Sequence, residues 1–143
     1  EKKIERLFLE SHWAYKNRIK EMRDYFEIPI TFKIGVETFD YDFRNGYLNK
    51  NAKFKTVEEL KEYFDSPCIM VGIKGQTREM IDRDMDIVLN NFDHATINIF
   101  VNNTSSVKRD EELVNWFSNK YKDLVDNPNI EILFNNTDFG VGD

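Results

Sequence analysis

The sequence predicts an α/β fold: part of a parallel barrel, about half of one, with helices on its outer face. Three observations predict it. Strand-like and helix-like segments alternate along the chain, the rhythm of right-handed βαβ units and a parallel sheet. In the clearest strand, 30–37, Ile30, Phe32, Ile34 and Val36 alternate with Thr31, Lys33, Gly35 and Glu37. Polar residues then recur on the second face of three segments: Thr31, Lys33 and Glu37, then Asn98 and Asn102, then Glu131. A flat sheet between two helix layers is apolar on both sides. A curved sheet covered only outside leaves its concave face for polar groups and a ligand. Strands near 30–37, 68–73, 95–102 and 129–134 are too few to close such a barrel, which needs about 250 residues.

At 143 residues the chain is read as one domain, 1–143. A hydrophobic content of 41% is enough to build a core. The net charge of −6 and dispersed Lys and Arg argue against a nucleic-acid partner. No apolar run approaches the roughly 18 residues of a membrane span. One cysteine, Cys68, gives neither a disulfide nor a thiolate cluster and fits a reducing, cytoplasmic setting. The chain opens at Glu1 in what reads as mid-helix, so it is expected to be a piece of a longer polypeptide.

Taken in order, residues 2–27 place Ile4, Leu7, Phe8, Tyr15, Ile19, Met22 and Phe26 at helical spacing, and Pro29 ends the segment. The first strand follows. Asn45-Gly46 marks a turn after a short helix near 41–46. Thr56 and Glu59 form a capping box that starts a helix over 57–64. Cys68 to Val71 is apolar throughout and reads as a strand covered on both faces, with Met70 in the core. Thr77 caps a helix over 78–91, where Asp82 and Asp86 share a wet face. The third strand is 95–102. A helix over about 107–125 and a strand over 129–134 complete the rhythm, and the tail NNTDFGVGD is loop by composition.

Ligands in parallel α/β folds gather at the carboxyl ends of strands. That singles out Glu37 and Thr38, and the loop Gly72-Ile73-Lys74-Gly75, whose glycines let backbone approach a ligand. The loop is too short for a P-loop or a dinucleotide fingerprint. His12 and His94 form no catalytic arrangement, and no cluster has zinc-ligand spacing.

GVETFD at 35–40, LNKN at 48–51 and MVGIKGQT at 70–77 resemble, in order and separation, the second half of a radical S-adenosylmethionine (SAM) enzyme. The likeness runs over about 12–143 and is closest to the oxygen-independent coproporphyrinogen oxidase branch. The resemblance implies SAM as cofactor. Glu37 and Thr38 match a ribose-contacting position, Gly72, Ile73 and Gly75 the loop beside adenine and methionine, and Val101 and Asn102 a strand end at the adenine. Lys33, Asn98 and Glu131 are candidates for substrate contact. The CxxxCxxC loop that holds a [4Fe–4S] cluster is missing, as is the glycine-glycine-glutamate segment, and Lys74 replaces a common proline. The expectation is therefore the carboxyl-terminal half-barrel of a radical SAM enzyme, inactive alone and binding no metal. Its partner would be the missing amino-terminal half or a second copy. The competing readings are a cluster-free nucleotide-binding module and a structural domain that dimerises through open sheet edges.

Overall fold

A computed structural model describes residues 3–134. Its five strands form one all-parallel sheet in the order β1-β2-β3-β4-β5: β1 Leu7–Glu10, β2 Ile30–Glu37, β3 Ser66–Val71, β4 Ala95–Ile99 and β5 Ile130–Leu133. Helices α1 Lys16–Tyr25, α2 Val57–Lys61, α3 Arg78–Asn91 and α4 Glu111–Lys120 connect them. This is the expected half-barrel. The tail 135–143 lies outside the described residues.

The expected helix over 2–27 is the main correction. Residues 7–10 are a strand instead, hydrogen-bonded along β2. Leu7 and Leu9 face the helix side, while Phe8 and Glu10 face the other. A four-residue strand next to a helical stripe has too little alternation to reveal itself. The sheet thus has five strands rather than four. Helix α1 starts only after a turn of 3₁₀-helix at Trp13–Tyr15, where the His12 ring caps Ala14 N at 3.0 Å.

Other boundaries shift by a few residues. Strand β3 spans 66–71 rather than 68–73, leaving Gly72 and Ile73 in the loop. Strand β4 stops at Ile99, so Val101 and Asn102 are loop residues. The last helix starts at 111, capped by the Asp110 side chain on Leu113 N, and gives way to a 3₁₀ turn at Lys122–Asp126. The caps Thr56 and Thr77 sit where the sequence placed them. No helix among the described residues is long and apolar enough to cross a membrane.

Burial follows the alternation. On β2, Ile30, Phe32, Ile34 and Val36 are buried beneath helices, and the residues between them are half-buried. Two apolar clusters line the outer face. One gathers β2 with Trp13, Ile19, Phe54, Leu60 and Phe64. The other joins β3, β4 and β5 to Ile81, Met85, Val88, Leu113, Val114 and Phe117 of α3 and α4. Burial of this apolar surface is the main term that holds the sheet to its helices.

Candidate functional site

Strand β2 ends in a bulge. Gly35 pairs with Cys68, but the next partner of Ile69 is Glu37, so one residue is extra. Glu37 takes φ 68, a left-handed conformation that is unfavourable for a residue with a side chain. Its carboxylate is thereby held at the strand end, where Oε1 accepts from Lys50 Nζ at 2.8 Å. Lys50 reaches this point by crossing Gly35: a Cβ there would lie 3.1 Å from its Nζ. A side chain there would make the ammonium give way by a few tenths of an ångström.

The segment 39–55 exists in this shape because of Arg44. Its guanidinium is 1% exposed and donates to three carbonyls: Ala52 at 2.8 Å, Thr38 at 3.0 Å and Phe54 at 2.6 Å. It also stacks 3.8 Å over the Phe54 ring. Burial lowers its pKa, but arginine starts so high that it stays charged. Asn45 grips Ala52 through both its amide atoms. Asn49 and Asn51 adopt φ 52 and 54 on either side of Lys50, a conformation that asparagine tolerates. The His12 Nδ1 already accepts from Ala14 N, so its Nε2–H donates to Lys50 O at 3.1 Å. Sequence reasoning missed Arg44, because a buried arginine in a polar loop carries no periodic signal.

The loop after β3 is stapled by Gln76. Its Oε1 accepts from Gly72 N at 3.0 Å and Ile73 N at 2.9 Å, and its Nε2 donates to Met70 O at 2.9 Å. Gly72 takes φ 97, and a Cβ on it would clash with Val114 Cγ2. Gly75 takes φ 106 beneath the stacked rings of Phe43 and Tyr47, whose centroids are 4.7 Å apart. Beyond β4, Asn102 Oδ1 accepts from Arg109 N and fixes the 101–110 loop.

Between these loops, at the carboxyl ends of β2, β3 and β4, lies a cleft of about 160 Å³. Met70, Ile73, Phe100 and Val107 give it apolar walls, and Glu37 and Lys50 a charged rim. Larger depressions lie elsewhere. One, of about 650 Å³, sits on the outer helix layer at Arg78, Trp116 and Lys120. Another, of about 620 Å³, lies at the opposite strand ends, near Arg23, Asp65 and His94. Parallel barrels carry their chemistry at the carboxyl ends, so the smaller cleft is the candidate site.

Below the cleft, the parallel registers place Glu10, Lys33, Cys68, Met70, Thr96, Asn98 and Glu131 on the concave face. Cys68 and Met70 are half-buried there, which corrects the expectation of a strand covered on both faces. Desolvation first, then Glu37 and Glu10, push the Cys68 thiol up to about 12, so it stays protonated and unreactive. The side-chain oxygens Thr96 Oγ1 and Asn98 Oδ1 are buried without a hydrogen-bond partner among the described residues.

Of the expected cofactor residues, Glu37 and Ile73 line the cleft. Thr38 is fully buried behind it: its carbonyl serves Arg44 and its hydroxyl accepts from Asp40 N. Gly72 has both backbone groups committed, to Gln76 and to Asp110 N. Gly75 packs under rings, and Val101 and Asn102 belong to the loop that walls the cleft.

The parallel half-barrel is the fold of a radical SAM relative, and this chain is related to those enzymes. The relationship is shown by a solved structure described as queuine lyase from Clostridium spiroforme bound to SAM and queuine. It superimposes with a TM-score of 0.93 and 53% identity over 98% of this chain. The chain spans 61% of that chain's length. No family model matches the sequence, and no curated protein does.

Proposed function

We propose that this chain supplies the carboxyl-terminal half-barrel, with part of the SAM site, of a radical SAM enzyme that acts on queuine or a closely similar base. The observation that carries this reading is the Glu37–Lys50 pair, threaded over Gly35 beside an apolar cleft. The 53% identity to a SAM- and queuine-bound structure supports it. The flat adenine ring of SAM suits the walls formed by Met70, Ile73, Phe100 and Val107. The Glu37 carboxylate is an acceptor for ribose hydroxyls, and the Lys50 ammonium a counter-charge for the methionine carboxylate. Ile73 contributes its side chain rather than its N–H, which Gln76 already occupies. A cleft of about 160 Å³ holds only part of the cofactor. The remaining wall comes from outside this chain, from an amino-terminal half-barrel in the same polypeptide.

SAM supplies hydrogen-abstracting chemistry once a [4Fe–4S] cluster provides an electron. One protonated cysteine does not fit such a cluster, which takes several thiolates. Among the described residues no three His, Cys, Asp or Glu converge on a metal position. On this reading the cluster ligands belong to the other half.

Calorimetry of SAM against the full polypeptide tests this reading. Saturable binding is expected, weakened about ten-fold or more in Lys50→Met, since a charge-assisted hydrogen bond contributes about 1.5–3 kcal/mol. A full polypeptide that does not bind SAM, or a Lys50→Met variant that binds it equally well, would sink the assignment.

A further inference from the structure

One buried acid has no structural need to be an acid. Asp84 stands on the inward side of α3, 1% exposed, against the end of β2. Its Oδ1 accepts from Phe39 N at 2.7 Å, and its Oδ2 has no partner among the described residues. An asparagine would offer Phe39 N the same acceptor with no charge to desolvate. A buried oxygen left without a partner costs stability and calls for a reason.

The surroundings supply one. Phe39 lies two residues past Glu37 and the bulge. From it a run of hydrogen bonds leads to Lys50. Asp40 N donates to Thr38 Oγ1, Phe43 N to Asp40 Oδ1 and Arg44 N to Asp40 O. Arg44 O then accepts from Lys50 N at 3.0 Å. The Arg44 guanidinium closes the segment on the carbonyls of Thr38, Ala52 and Phe54. Within this run, only the bond to Asp84 crosses to a helix. It starts at a buried carboxyl and ends at the residue whose ammonium meets Glu37.

Charge follows the same path. Arg44 is buried and makes no ion pair among the described residues. Burial opposes its charge, and Tyr41, Asp84 and Asp40 favour it. Asp84 itself feels burial first, which raises its carboxyl to about 7 against the Phe39 N–H and the Thr38 hydroxyl. Asp40 adds to the rise, and Arg83 on α3 opposes it. The carboxyl therefore changes charge near neutral pH. As an anion it holds Phe39 N more strongly and attracts Arg44.

Resting on the SAM reading above, we infer that Asp84 is a positioning residue for SAM: from α3 it fixes the end of β2 and, through Arg44, the segment that delivers Lys50 to Glu37. It touches no cofactor. Its ionised form sets the pair more firmly than its neutral form, so SAM binding gains as pH rises through neutrality.

The test measures SAM affinity of the full polypeptide by calorimetry at about pH 6 and about pH 8, on either side of the Asp84 titration. Asp84→Leu removes acceptor and charge and should weaken SAM about ten-fold or more. Asp84→Asn keeps the acceptor. It should bind within about two-fold of wild type at the lower pH and several-fold more weakly at the higher, while being the more stable protein. A residue that served stability alone would not give that split. Comparing the two proteins at each pH cancels the titration of SAM's own amino group. Val88→Ala, one turn along the same buried face of α3, should lose stability yet bind SAM within about two-fold of wild type. If Asp84→Leu does not fold, the Asp84→Asn comparison decides alone. An affinity ratio of Asp84→Asn to wild type that is the same at both pH values would overturn the proposal. So would a loss of SAM affinity in Val88→Ala equal to that in Asp84→Leu. Either result, with SAM still bound by the wild type, leaves the cofactor reading standing. A wild type that binds no SAM overturns the cofactor reading and this role with it.

Discussion

The two faces of β2 divide the work of the molecule. Toward the helices, Ile30, Phe32, Ile34 and Val36 are at most 5% exposed. Toward the hollow, Lys33 and Glu37 remain half-buried, with Gly35 between them. The same eight residues thus contribute cohesion on one side and chemistry on the other. The difference teaches that exposure on the concave side is no defect of packing. A residue there is free of the core and answers to whatever enters.

The sharpest way to break the comparison is a pair of truncations. Ile34→Ala removes a fully buried side chain and should cost about 2–5 kcal/mol of unfolding free energy. Thr31→Ala, on the opposite face of the same strand, should cost less than about 1 kcal/mol. Urea melts of the two variants decide between them, and equal losses would erase the division.

The second effect is pH-dependent and concerns Asp84, 1% exposed on the inward side of α3. Its Oδ1 accepts from Phe39 N at 2.7 Å, and its Oδ2 has no partner among the described residues. Desolvation, opposed by the Phe39 hydrogen bond, raises its carboxyl from 3.8 to about 7. The folded state therefore keeps a proton that the unfolded chain releases near pH 4. The contribution to stability is full below that pH, falls as pH rises toward about 7, and is level above it. Asp84→Asn should gain on the wild type between pH 5 and 8, on the order of 2 kcal/mol. Parallel stability profiles for the two proteins would show that the carboxyl is already ionised.

The smallest change in stability belongs to Gly35→Ala. Its φ is unexceptional, and the new Cβ would meet only the flexible ends of two side chains, Lys50 Nζ at 3.1 Å and Glu37 Oε1 at 3.4 Å. Unfolding free energy should move by less than about 1 kcal/mol. SAM affinity should nevertheless fall several-fold, because the ammonium is displaced from Glu37. Unaltered SAM affinity would mean that the position of Lys50 over the sheet is incidental.

Much of this was legible in the sequence because one physical rule governed it. Strict alternation exposed β2, and threonine caps exposed the starts of α2 and α3. Where two rules competed, the reading failed. Leu7, Phe8 and Leu9 extended a helical stripe, yet backbone pairing with β2 prevailed. Cys68 and Met70 are apolar, so their place in the hollow could not be told from core. Asp82 and Asp86 stood out as a pair, and Asp82 in fact meets Lys120 and Tyr121. The buried acid is Asp84 between them, which spacing alone did not distinguish. Strand polarity pointed to Glu37 and the resemblance to Ile73, and both line the cleft. The support that positions them, Arg44, Gln76 and the two left-handed asparagines, depends on tertiary contacts that no local pattern encodes.

Each of the three guanidinium nitrogens of Arg44 donates to a main-chain oxygen, and a carbonyl is the same whichever amino acid bears it. The path of the segment is thus set by Arg44, Asn45 and the two left-handed asparagines rather than by the Lys50 side chain. Lys50 occupies a slot whose occupant can be exchanged while the scaffold keeps its course, so the charge presented to the hollow can be retuned without redesigning the fold around it.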